Sequence, residues 1–138
     1  MSFPGYTLVD ALDGFSRAID LLQVGDVVRT LSGWGKVKRI SKRHLLPEEG
    51  LLALSFDVVP SMTMTLVQPL RVGDGWMAAS LLQVGQRLAG CTELKTELTL
   101  VARKNIVWHG EVFSLQVEPD NSYIVGWLAA LGAAGGIV

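Results

Sequence analysis

Leu-Leu-Gln-Val-Gly at residues 21–25 returns unchanged at residues 81–85, and this repeated stretch decides how the chain folds. Asp20 precedes the first copy and Ser80 the second, and both residue types cap helix N-termini by accepting a backbone N–H bond. We interpret each copy as a short helical turn that ends at a glycine with positive φ and leads into a strand. Two copies are too few for a solenoid, which needs three or more, so the repeat predicts a pseudo-two-fold symmetric domain.

Outside the repeat, short apolar segments alternate with turn signals, and helical periodicity is almost absent. Residues 62–66 alternate with period two, which places Thr63 and Thr65 on the polar, exposed face of a strand. The other expected strands are residues 6–11, 16–19, 27–31, 34–41, 51–59, 70–72, 76–78, 87–88, 98–108, 111–117 and 123–128. This pattern predicts an all-β fold. Because no linker or low-complexity segment interrupts it, we expect residues 1–138 to form a single domain.

The apolar phases of these strands and turns predict the core. We expect it to include Val9, Leu22, Val24, Val28, Leu82, Val84, Leu115, Val117 and Val125.

Composition and charge exclude several classes of protein. Hydrophobic residues make up 49% and charged residues 18%, which excludes a disordered chain. The net charge of −1 gives no support for a nucleic-acid partner, and the cations between residues 36 and 43 alternate with apolar residues as on a solvated strand. The apolar end, residues 127–138, is shorter than the ~20 residues that span a bilayer. With no signal peptide at the start, we expect no membrane association and favour an intracellular location.

Side chains that bind metals or form disulfides are scarce. Cys91 is the only cysteine, so neither an intrachain disulfide nor a thiolate cluster can form. His44 and His109 are the only imidazoles, which makes a zinc site improbable. We expect no metal and no cofactor.

Four stretches, taken in order, resemble the Hint domain, the self-processing module of hedgehog proteins and inteins. They are residues 2–9, 13–28, 65–88 and 111–128. The resemblance covers nearly the whole chain and implies a pseudo-symmetric β horseshoe, which suits the repeated stretch.

The same resemblance implies a chemistry of peptide-bond rearrangement. In the family, a Cys or Ser at the first residue of the domain attacks the preceding carbonyl, and a Thr and a His in the middle block position and protonate the scissile amide. Ser2 falls at the nucleophile and Thr65 at the middle-block Thr, but Gln68 stands where the His is expected. A Gln side chain hydrogen-bonds but does not exchange a proton near neutral pH.

The closing block departs further from the family pattern. Asn121 falls where many members have another His, and the terminal His-Asn pair, whose Asn cyclises in splicing, aligns with Ala130 and Leu131. Neither residue can protonate or cyclise, so the final splicing step is impossible. We expect Ser2, Thr65, Gln68 and Asn121 to converge on one shallow site with Ala130 nearby.

The sequence therefore predicts a Hint-like domain that is splicing-defective and catalytically silent, with a structural or interaction role. Its expected partner is the flanking polypeptide in cis, or another protein. One alternative is a module that cleaves at its N-terminal side through Ser2, which is at most a single-turnover activity on its own chain. A second alternative is an unrelated small β-barrel binding domain.

Overall fold

The computed structural model describes residues 2–90 and 97–133. The strands of this part of the chain are β1 (Phe3–Pro4), β2 (Leu8–Asp10), β3 (Ser16–Ala18), β4 (Val27–Thr30), β5 (Gly33–His44), β6 (Leu51–Phe56), β7 (Met62–Met64), β8 (Pro69–Val72), β9 (Gly75–Ala78), β10 (Arg87–Ala89), β11 (Glu97–Ile106), β12 (Glu111–Glu118), β13 (Ser122–Val125) and β14 (Leu128–Leu131). Three single 3-10 turns occur at Leu12–Gly14, Ile19–Leu21 and Ala79–Leu81. Over the described ranges, the protein is all-β with short helical turns, as the sequence predicts, and no helix is long and apolar enough to cross a membrane.

The strands form three antiparallel sheets. Two have four strands each, in the orders β1-β12-β5-β4 and β10-β11-β6-β7, and the third has six, in the order β3-β2-β13-β14-β8-β9. The six-stranded sheet combines strands from the beginning, middle and end of the chain. Its strands β8, β13 and β14 carry or directly follow Gln68, Asn121, Ala130 and Leu131, whereas Ser2 and Thr65 flank strands of the two four-stranded sheets.

The two repeated stretches have the same backbone hydrogen bonds, one for one. Gly25 donates to the carbonyl of Val37, and Gly85 donates to that of Leu100, at 2.8 and 2.7 Å. Both glycines have a φ of 95°, a left-handed conformation that other residues adopt at a cost. The predicted equivalence of the two turns is confirmed, and it underlies the pseudo-two-fold symmetry of the fold.

The detailed structure of the repeat corrects two expectations. Each helical turn ends at the first Leu of the repeat, and the following Leu is already extended, so the glycine belongs to a separate tight turn. Asp20 and Ser80 lie inside the helical turns, and neither side chain caps them. Their backbone N–H groups donate instead to the carbonyls of Gly5 and Leu66, which join each turn to the segment before it.

The predicted core is confirmed at seven of its nine positions, since Val9, Leu22, Val28, Leu82, Leu115, Val117 and Val125 are all buried. Val24 and Val84 are wrong, because they are 67% and 59% exposed. The extended backbone after the helical turn directs the second Leu of each repeat inward and its Val outward.

The end of the chain differs from the single last strand expected at residues 123–128. Gly126, with a φ of 60°, turns the chain between β13 and β14, which pair with each other from Ser122↔Leu131 to Val125↔Leu128. The hairpin places Ala130 against Leu70 of β8. Cys91 and the polar stretch that follows it lie outside the described residues.

The cations of β5 lie on a solvated strand with carboxylates close by. Lys38 Nζ lies 3.0 Å from Glu118 Oε1. The guanidinium of Arg43 forms a bidentate ion pair with the carboxylate of Glu49, with N–O distances of 2.7 and 2.8 Å. Hydrogen bonds from Arg43 lower the pKa of Glu49 to about 2. This local cluster is therefore offset by acids on neighbouring segments.

Candidate functional site

Ser2 and Thr65 are held together by two hydrogen bonds. The N–H of Ser2 donates to Thr65 Oγ1 at 2.9 Å, and the N–H of Thr65 donates to the carbonyl of Ser2 at 2.9 Å. Thr65 immediately follows β7, and Ser2 immediately precedes β1, so two strand ends fix the pair. Both residues are buried, at 4% and 3% exposure, so Thr65 does not lie on the exposed strand face that the sequence pattern suggested.

Gln68 lies one turn further along the chain, and its backbone N–H donates to the carbonyl of Thr65 at 3.2 Å. Its side chain is completely buried. The amide Nε2 donates to the carbonyls of Pro69 at 2.9 Å and Leu131 at 3.1 Å. Oε1 has no partner among the described residues. Gln68 therefore connects the segment that holds Ser2 to β14.

Asn121 lies in the turn between β12 and β13 and adopts a left-handed conformation with a φ of 54°. Asn tolerates this conformation better than most residues. Its Oδ1 accepts the N–H of Val117 at 3.0 Å. Its Nδ2 donates to the carbonyls of Gly132 at 3.2 Å and Ala133 at 3.1 Å. Asn121 thus contacts the segment that follows β14.

Asp120, the residue before Asn121, is the titratable group of this turn. Burial acts to raise the pKa of Asp120, but hydrogen bonds from Ser122 and from the backbone of Ser32 outweigh it and hold the pKa below its ordinary value. The carboxylate accepts the Ser122 hydroxyl at 2.8 Å and the Ser32 N–H at 3.1 Å. Asp120 is therefore a charged acceptor that organises the turn, and it is unsuited to supply a proton near neutral pH.

The positions of the terminal His-Asn pair both lie in β14. Ala130 is completely buried and pairs with Tyr123 and Leu70. Leu131 pairs with Ser122, and its carbonyl accepts the Gln68 amide. Neither side chain carries a polar group, so the end of β14 contributes only backbone to this region.

Direct hydrogen bonds join Ser2 to Thr65, Thr65 to Gln68, and Gln68 to Leu131. Asn121 is linked to this group through its hydrogen bonds to Gly132 and Ala133, the two residues that follow β14. The first three residues are buried, so this part of the region is not the shallow surface that we expected. Sequence reasoning missed the backbone of residues 131–133, because main-chain acceptors leave no signal in the residue types.

No hydrogen bond or ion pair among the described residues links His109 to this region. It is exposed in the loop between β11 and β12. Within residues 2–90 and 97–133, no group of His, Cys, Asp and Glu side chains is arranged to hold a metal ion.

A cavity of about 510 Å³ lies elsewhere in the fold, and none of the residues Ser2, Thr65, Gln68 and Asn121 lines it. Asp10 and Trp127 are among its lining residues. Burial raises the pKa of Asp10, and the nearby charge of Arg29 opposes this shift. The open cavity and the buried hydrogen-bonded region are therefore separate features.

The chain is similar to several solved structures over 95–96% of its length. It superimposes on the gp41-1 intein with a TM-score of 0.80 and 15% identity, covering 95% of this chain and 98% of that one. A DnaB intein from Synechocystis sp. gives a TM-score of 0.81 at 15% identity, covering 96% and 99%. A bacterial intein-like domain from Clostridium thermocellum gives 0.79 at 21% identity, covering 96% and 98%.

No protein-family model and no curated protein sequence matches the chain. The likeness therefore lies in the backbone. The chain has the intein-like Hint fold, a pseudo-two-fold symmetric β horseshoe.

Proposed function

We propose that this chain is a Hint-like domain of the self-processing class that neither splices nor cleaves itself. It serves as a structural or interaction module attached to its flanking polypeptide in cis. The observation that carries this proposal is Gln68, a fully buried neutral amide at the position where the resemblance expects a proton-transferring His.

The N-terminal side retains positioning but lacks the proton donor that the reaction needs. Thr65 accepts the N–H of Ser2, the nitrogen that would become the leaving amine. Breaking that bond requires a proton on the nitrogen, and an acid placed there contributes about 10²–10⁴-fold to the rate. The amide N–H groups of Gln68 are already donated to two carbonyls, and an amide does not release them as protons. A Ser hydroxyl without a neighbouring base is also a weak nucleophile.

The C-terminal side cannot complete splicing. That step requires a side-chain amide that attacks its own carbonyl, and Leu131 has none. Ala130, completely buried in β14, offers no proton. At both ends of the proposed site, therefore, the residues that a splicing domain uses for proton transfer and cyclisation are absent.

Self-cleavage at the N-terminal side through Ser2 is the second candidate function. The retained pair of hydrogen bonds between Ser2 and Thr65 favours it, because a strained scissile bond would need this support. The two candidates differ in whether a peptide joined upstream of Ser2 is ever released.

The test is a fusion that carries one reporter joined directly to Ser2 and another after Val138, purified and kept near neutral pH. We expect intact-mass measurements over a day to show one full-length species, because none of the candidate residues at either end can transfer a proton near neutral pH. Loss of the upstream reporter alone would establish the second candidate. Loss of both reporters, or their ligation, would contradict the proposal.

A further inference from the structure

Two buried or half-buried carboxamides meet three consecutive carbonyl groups at the end of the described chain. Gln68 Nε2 donates to Leu131, and Asn121 Nδ2 donates to Gly132 and Ala133. The three bonds are 3.1, 3.2 and 3.1 Å long. Side-chain donors therefore hold an unbroken run of backbone acceptors that begins at the last residue of β14 and continues for two residues beyond it.

Backbone hydrogen bonds complete the attachment of the same segment. Gly132 donates to the carbonyl of Asn121 at 2.7 Å, and Ala133 donates to that of Leu115 at 2.8 Å. Residues 132 and 133 consequently have both their N–H and C=O groups paired, and both are buried. Backbone N–H and C=O groups near an exposed chain end are usually hydrogen-bonded to water. Complete pairing with protein groups at residues 132 and 133 therefore indicates a segment that belongs to the packed structure.

The close packing around residue 132 leaves no room for a side chain there. A Cβ at Gly132 would collide with Asn121 Oδ1 and with the carbonyl oxygen of Leu115. Asn121 reaches the segment from a left-handed conformation, in which Asn is among the few tolerated residues. Both residue types are therefore explained by the close approach of this segment to the turn.

The choice of carboxamide over imidazole has a chemical consequence. A primary amide places two N–H donors on one nitrogen, whereas a neutral imidazole has a single N–H donor. Here both donors of each amide are used, Gln68 on Pro69 and Leu131, and Asn121 on Gly132 and Ala133. An amide also keeps these donors at every physiological pH, while an imidazole titrates near pH 6.5.

We infer that Gln68 and Asn121 form a carboxamide clamp, a binding site for the chain's own residues 131–133. The clamp holds the C-terminal junction of the Hint fold, residues 131–133, in the packed domain by contacts that do not depend on pH. This inference rests on the proposed function, since a domain that is never excised stays joined to its downstream partner.

The clamp is tested by amide hydrogen exchange in the full chain, followed residue by residue by NMR. Asn121→Asp keeps the acceptor for Val117 but removes both donors, and Asn105→Asp on the exposed strand β11 is the matched control. We expect exchange at Gly132 and Ala133 in Asn121→Asp to accelerate about 10- to 100-fold relative to the amides of β6, the effect of two lost hydrogen bonds. Asn105→Asp should leave that ratio unchanged.

A second variant covers the case in which the carboxylate prevents folding. Asn121→His supplies one donor at pH 7.5 and tolerates the left-handed backbone, so we expect an intermediate loss of protection at residues 132 and 133. Exchange at Gly132 and Ala133 at exposed-chain rates in the unmodified protein would overturn the clamp, as would equal exchange in Asn121→Asp and Asn105→Asp. These outcomes are independent of upstream cleavage, so failure of the clamp and failure of the proposed function are distinguishable.

Discussion

The double variant Ser2→Cys, Gln68→His should release a reporter joined upstream when a small thiol is added, whereas the unmodified chain should not. A cysteine thiol is far more nucleophilic than a hydroxyl near neutral pH, and attack on the preceding carbonyl forms a thioester that the added thiol opens. The imidazole at residue 68 supplies the proton that the backbone nitrogen of residue 2 needs as a leaving group. Because general acid catalysis contributes about 10²–10⁴-fold, the double variant should exceed Ser2→Cys alone by roughly that factor.

The single variants are the controls for this experiment. Gln68→His alone retains the weak Ser2 hydroxyl, and Ser2→Cys alone retains the amide that cannot titrate, so each should release less than the pair. No variant should cleave at the C-terminal side, because Leu131 is unchanged. No release by a folded double variant would show that the scissile geometry itself has been lost, leaving only a structural or binding role.

Leu82→Ala should lower the free energy of unfolding by about 2–5 kcal/mol, the cost of emptying a fully buried leucine site. Leu82 is completely buried in the main core. Its counterpart in the first repeat, Leu22, has 5% exposure, so Leu22→Ala should cost a similar amount. Denaturant titration of both variants measures the two differences directly.

Val84→Ala is the matched control, two residues away in the same repeat. Val84 is 59% exposed, and surface substitutions of this kind usually change stability by about 0.5 kcal/mol or less. A Leu82 variant with the same unfolding midpoint as the Val84 variant would contradict the assignment of the inward-facing residue in the repeat.

The repeat was the strongest guide to the fold because it carries two kinds of information at once. Its glycines need a left-handed backbone, and its second leucine needs a core, so both features could be predicted from residue type. The outward direction of the Val24 and Val84 side chains could not be predicted, because an extended residue between two tight turns breaks the simple alternation of a strand. The similar exposure of the two valines, 67% and 59%, is a property of the turn geometry.

The meeting of the candidate positions was predictable, but their burial was not. The resemblance placed Ser2 and Thr65 in one region, and the structure joins them by two hydrogen bonds. A period-two pattern put Thr65 on an exposed face, but β7 ends at Met64 and the chain turns inward at once. The contacts of Gln68 and Asn121 were hidden for another reason, since their partners are backbone carbonyls that any sequence possesses.

The measurement that most directly tests whether the domain is catalytically silent treats the unmodified chain, with a reporter fused upstream of Ser2, with hydroxylamine. If the Ser2 hydroxyl attacked the preceding carbonyl, even reversibly, the resulting ester would be trapped as a hydroxamate on the last upstream residue. We expect mass spectrometry to show no hydroxamate and no shortened chain after a day near neutral pH. A hydroxamate at that residue, lost on Ser2→Ala, would contradict the account and establish that the N-terminal step survives.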